Sequence, residues 1–74
     1  MPDDTILDVC GLEPPEPLEQ VLEALATLPH GQRLRMLIDR EPRPLYSILD
    51  QNHFSYSTSH TDDYRYQILI WHKN

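Results

Sequence analysis

The chain predicts an α+β fold: a two-layer α/β sandwich of order βαβαββ, with a four-stranded mixed sheet carrying two helices on one face. Three observations carry this expectation. Two short segments with helical spacing of apolar residues each follow a segment with β-like patterning, and the last third of the chain holds two β-like runs separated by a turn. Strand–helix–strand units cross over right-handed, which puts both helices on the same side. The whole chain is 74 residues long, so residues 1–74 form one small domain that buries only roughly 60% of the surface its unfolded form exposes.

The first strand is expected at Thr5–Val9, an apolar run with β-branched members that Gly11 interrupts. Pro14, Pro15 and Pro17 suit the start of a helix, where the missing N–H groups have no partner to lose. Glu16 and Glu19 then lie at the positive end of the helix dipole. Leu18, Val21, Leu22, Leu25 and Leu28 recur at steps of three and four and make one apolar stripe. Pro29, His30 and Gly31 end the helix.

From Gln32 to Ile38 the pattern alternates, with Leu34, Met36 and Ile38 on one face and Arg33, Arg35 and Leu37 on the other. Leu45, Ile48 and Leu49 mark a second helix from Pro44 to Asn52, with Asn52 as its left-handed exit. His53–Ser59 alternates again, Asp62 and Asp63 make a turn, and Tyr64–His72 forms a last strand rich in aromatic and β-branched residues. Only one face of the sheet is covered. Alternation puts Cys10, Arg33, Arg35, Leu37, Gln67, Leu69 and Trp71 on the open face, a composition that fits either a contact surface, including a homodimer, or arginine stems lying over apolar groups.

The run from Leu7 to Pro17 resembles the signature of the TusA and SirA-like sulfur-carrier superfamily. In those carriers the motif reads Gly-Leu-x-Cys-Pro-x-Pro, and here Gly11, Leu12, Pro15 and Pro17 match it while Pro14 stands at the position of the carrier cysteine. A second run, Asp39-Arg40-Glu41-Pro42-Arg43-Pro44-Leu45-Tyr46, resembles an uncharacterised branch catalogued as domain of unknown function 2249. The resemblance implies the same two-layer sandwich with the carrier chemistry removed. Some related domains are joined to haemerythrin-like modules, which implies a metal or redox context as one alternative.

Charge narrows the function classes. The formal net charge is -6, with seven acidic side chains and no Lys or Arg in residues 1–31, and all six basic residues after Gln32. Such a chain is a poor counterion-releasing surface, so nucleic acid is not an expected partner. An acidic first helix fits a basic protein partner, or simply a solvated face that keeps the domain soluble. One cysteine, an acidic N-terminus and the absence of a long apolar run lead to the expectation of a cytoplasmic location without membrane insertion.

Loops that follow two parallel strands open at one sheet edge, so Gly11–Pro17 and Asp39–Pro44 are expected to be neighbours. The candidate binding residues are therefore Glu13, Pro14, Pro15, Pro17, Asp39, Arg40, Glu41, Pro42 and Arg43. Arg40 and Arg43 could hold an anion at the start of the second helix, or they could pair locally, Arg43 with Asp39 or Glu41 and Arg40 with Glu13 or Glu16. Cys10 is the one candidate for sulfur or redox chemistry, yet its place at the end of a strand lacks the activation a helix N-terminus gives. The alternative for it is a small apolar filler.

His30, His53, His60 and His72 have no spacing that forms a local chelate, and a three-dimensional site would need Asp8 or Asp39. No cofactor is expected. A phosphate loop and a nucleophile elbow are both missing, which predicts a non-enzymatic module. The sequence thus leaves a protein-binding or regulatory module, a sulfur relay through Cys10, and a metal- or haem-associated accessory domain.

Overall fold

The computed structural model describes residues 4–73. Its elements run β1 (Asp4–Asp8), α1 (Glu16–Ala26), β2 (Arg33–Ile38), α2 (Arg43–Gln51), β3 (Phe54–His60) and β4 (Tyr66–His72), in the expected βαβαββ order. The sheet order is β1-β2-β4-β3, with β1 parallel to β2 and the other two pairings antiparallel. This is the four-stranded mixed sheet of an α+β fold.

Strand register decides which side chains share a face. Leu34 lies opposite Ile70 and Met36 opposite Ile68, and these four are buried with Val21, Leu25 and Leu28 from the α1 segment and Leu45 and Leu49 from α2. Both helices therefore cover the same side of the sheet. Each side chain buried this fully contributes about 1.5–3 kcal/mol through removal of apolar surface from water, and the cluster forms the hydrophobic core among the described residues.

Several expected boundaries move, each for a local reason. Strand β1 covers Asp4–Asp8 rather than Thr5–Val9, although the Val9 amide still donates to the Leu37 carbonyl at 2.9 Å. Helix α2 begins at Arg43, because Pro44 is tolerated within the first turn. The left-handed exit belongs to His53 (φ 63°), not Asn52, which keeps φ -106° and donates its side-chain amide back to the Ile48 carbonyl. Tyr64 (φ 64°) sits in the Thr61–Arg65 turn, so β4 starts two residues later than its aromatic composition suggests. Of the stripe residues, Val21, Leu25 and Leu28 are buried, Leu18 is half-buried and Leu22 is 37% exposed, at the margin of the apolar face.

The open face carries six of the seven residues expected of it, and Cys10 lies beyond the end of β1. Arg33 pairs in register with Trp71, Arg35 with Leu69 and Leu37 with Gln67, and all six are half-buried. Asp4 ties this face together, accepting from Arg33 Nε at 3.0 Å and from Arg35 Nη2 at 2.8 Å. Arg35 also donates to Gln67 Oε1 at 3.3 Å. No helix among the described residues is long and apolar enough to cross a membrane.

Candidate functional site

The two loops at the carboxyl ends of β1 and β2 meet, as their parallel strands require. Gly11 (φ 80°) reverses the chain after β1 in a conformation that costs a glycine little. That turn aims the Gly11 N–H at Asp39, whose Oδ2 accepts it at 2.6 Å across 28 residues of sequence. A charge-assisted bond of this kind clamps the loops at a fixed separation.

Between them lies a groove of about 340 Å³. Its walls are Pro14, Pro15 and Pro17 on one side and Arg40, Glu41, Pro42 and Pro44 on the other, over a floor of Leu18, Met36, Ile38 and Leu45. The proline rings need no hydrogen-bond partner, so this wall is apolar and stiff at once. A second hollow of about 310 Å³ adjoins it on the β1 side and includes Glu13 and Asp39, with Pro14, Pro17, Ile38 and Arg40 common to both.

Of the local pairings open to the two arginines, one is formed. Arg43 Nε donates to Glu41 Oε1 at 3.1 Å, and the Tyr46 hydroxyl donates to the other oxygen of the same carboxylate at 3.3 Å. Burial pushes the Tyr46 phenol up from its ordinary value, and Glu41 adds to the rise. Arg40 behaves differently. It is exposed, and among the described residues it forms no ion pair with Glu13, Glu16 or any other carboxylate. A guanidinium without a partner therefore stands at the lip shared by both hollows.

Helix α2 starts beside this lip with Pro42 at its cap position and no side-chain cap. Helix α1 likewise starts after Pro15 without a side-chain cap, with Pro17 in its first turn and Glu16 and Glu19 near its positive end. The Pro14–Pro15 peptide bond is cis. Pro14 lines the groove.

Cys10 lies outside the groove. Its amide donates to Asp8 Oδ1 at 2.9 Å, and its Sγ is 3.3 Å from Arg65 Nη1, with the residue partly buried. Burial pushes the thiol up and the Asp8 carboxylate pushes it further, while Arg65 acts in the opposite direction without reversing the outcome. This is the reverse of the setting that makes a reactive thiolate. Arg65 is itself held by Asp63 at 2.6 Å, and Asp63, bonded also to Thr61, falls to about 2.

The histidines are distributed by packing. His30 stacks on His72 with ring centroids 3.9 Å apart, His72 packs against Phe54 and bonds the Leu28 carbonyl through Nε2 at 2.7 Å, and His60 packs on Tyr66. Among the described residues, no group of three or more His, Cys, Asp or Glu side chains is arranged to hold a metal ion.

Sequence reasoning named the groove's walls except Pro44 and missed its floor. Leu18, Met36, Ile38, Leu45 and Pro44 read as core or helix start, and periodicity does not distinguish a residue packed beneath a groove from one sealed by a neighbour. Against curated proteins the chain finds no match. The sequence profile of one family, described as an uncharacterized conserved protein and designated DUF2249, matches residues 6–72. The chain belongs to this family.

Proposed function

We propose that this DUF2249 chain is a non-catalytic binding module on a sulfur-carrier-like scaffold, and that its groove between the two proline-bearing loops receives a segment of a protein partner. One observation carries the reading. The loops are clamped by the Gly11–Asp39 bond around an apolar groove whose only unpaired cation among the described residues is Arg40. Apolar walls with one convergent charged group are the usual composition of a recognition site. Stiff prolines supply a preorganised wall, so little entropy is lost when a partner docks. In this reading apolar side chains of the partner enter over Leu18 and Leu45, and a carboxylate or a helix carbonyl end meets Arg40.

The sulfur-relay alternative lacks comparable support. The resemblance to sulfur carriers would need a thiol at the loop, and Cys10 is both outside the groove and held in its protonated form by burial and Asp8.

The test is photo-crosslinking in the cell of origin, with the reactive residue placed at Pro42 in the groove or at Ser57 on the open sheet face. We expect a discrete adduct from position 42, lost in Arg40→Ala, and none from position 57. Adducts from position 57 alone would transfer the binding role to the open face. Intact mass of the same sample, taken without reductant, reads the alternative: a one-sulfur adduct on Cys10 would replace the binding module with a carrier.

A further inference from the structure

The loop groove does not end at the loops. A further hollow of about 370 Å³ lies one helical turn along, between Leu22 and Ala26 of α1 and Ile48 and Asn52, over Leu25 and Phe54. Leu18 and Leu45 line the first hollow, and Leu22 and Leu49, each four residues on, line the second. Residues four apart occupy the same helix face, so the two hollows lie end to end along one furrow between α1 and α2. The furrow lies between helices that pack mainly on the sheet, α1 against β2 and α2 against β3. It explains why Leu18 is only half-buried and Leu22 is left 37% exposed on the stripe.

The exposed surface of α1 beside the furrow has a sign. Glu19 and Glu23 are one turn apart on α1; Glu19 is three residues before Leu22, and Glu23 three before Ala26. Both are exposed and, among the described residues, neither has an ion-pair partner. Glu16 continues the same charge toward the loops, and residues 1–31 contain no Lys or Arg. The opposite wall, on the α2 side, presents Pro44, Ile48 and Asn52, none of them charged.

We propose that the furrow between α1 and α2 is a docking trough for a basic amphipathic helix of a partner protein. An apolar channel between two helices accepts a third by seating its ridge of side chains in the groove, with anchors at spacings of three and four. The eleven residues of α1 span about 16 Å, which sets the partner segment at about three turns. The lysines or arginines on the flank of that helix face Glu19 and Glu23, and its carbonyl end meets Arg40 at the loops. This inference rests on the binding-module reading and names the chemistry of the partner.

The probe is a 14-residue peptide of leucine and lysine with leucines at helical spacing, added to the full-length ¹⁵N-labelled chain at low salt. Its control has glutamate for every lysine. Amide shifts confined to Leu18, Leu22, Ala26 and Ile48 are expected with the lysine peptide alone. Glu19→Gln combined with Glu23→Gln is expected to weaken binding about fivefold, as for two exposed ion pairs. Leu22→Gln, at a partly exposed position, should abolish the shifts near Ile48 while the melting temperature falls only slightly. Equal binding of the glutamate peptide, undiminished binding to the double variant, shifts on the open sheet face, or no binding at all would each overturn the trough. The crosslink at position 42 is read independently. A captured segment that is acidic or extended would end this inference while leaving the loop groove as a binding site.

Discussion

The two surfaces of this thin sandwich expose apolar groups in different ways. On the open sheet face Leu37, Leu69 and Trp71 are half-buried, and the charges beside them are already engaged: Asp4 holds Arg33 and Arg35, and Arg35 reaches Gln67. On the helix side the apolar surface is concave, and the adjacent charges of Arg40, Glu19 and Glu23 have no partner among the described residues. Composition alone favours neither face. The distinction lies in whether the flanking charges are satisfied inside the molecule, since a satisfied pair offers a partner little and an unsatisfied one can be completed only by something else.

The largest expected effect tests whether the helix side is the mechanical core of the molecule. Leu49→Ala should cost about 2–5 kcal/mol in urea unfolding, because it empties a fully buried position. Leu69→Ala on the open face should cost about 1 kcal/mol. Equal losses would mean that the open face is covered in solution, and the comparison would fail.

Next is the clamp that shapes the groove. Asp39→Ala removes the acceptor of the Gly11 amide, and hydrogen exchange at Gly11 should accelerate about tenfold or more, as expected for loss of a bond to a charged group. Exchange in β4 should be unchanged. An unaltered Gly11 rate would show that proline stiffness alone sets the loop separation.

Acid should separate the faces further. Arg35 and Arg33 hold the Asp4 carboxyl below its ordinary value, the Cys10 amide does the same for Asp8, and Arg65 with Thr61 lowers Asp63 to about 2. A carboxylate with a depressed folded-state pKa stabilises the fold above its unfolded value, and that contribution is lost as pH falls through the folded value. Melting temperature should therefore fall as pH drops from about 4 toward 2, and amide shifts around Asp4, Asp8 and Asp63 should titrate below the ordinary carboxylate range. Titration of those shifts within the ordinary carboxylate range would break the assignment. The smallest effect is expected at Cys10, where Cys10→Ala should cost less than about 1 kcal/mol. The wild-type thiol should alkylate with iodoacetamide more slowly than free cysteine at pH 8; faster alkylation would contradict the raised thiol.

Much of this architecture was legible in particular residues. The alternation of Leu34, Met36 and Ile38 with Arg33, Arg35 and Leu37 is reproduced in the burial of β2, because a half-covered sheet leaves no other register. The proline clusters marked both loops correctly, and parallel topology made them neighbours. What misled was marginal position. Leu22 belongs to the helical period yet lies at its rim, and Tyr64 has strand-like chemistry but occupies a left-handed turn.

By itself, then, the sequence determined the element order, the sheet's two faces and the meeting of the proline loops, since each follows from periodicity, backbone constraint or the handedness of crossovers. The tertiary structure alone decided which charges were spent. Arg43 went to Glu41, Asp39 to the Gly11 amide and Arg65 to Asp63 and the Cys10 sulfur, while Arg40 was left free of ion pairs among the described residues. Pairing depends on distances of a few ångströms between chain segments far apart in sequence, and the spacing of residue types along a chain carries no such distances.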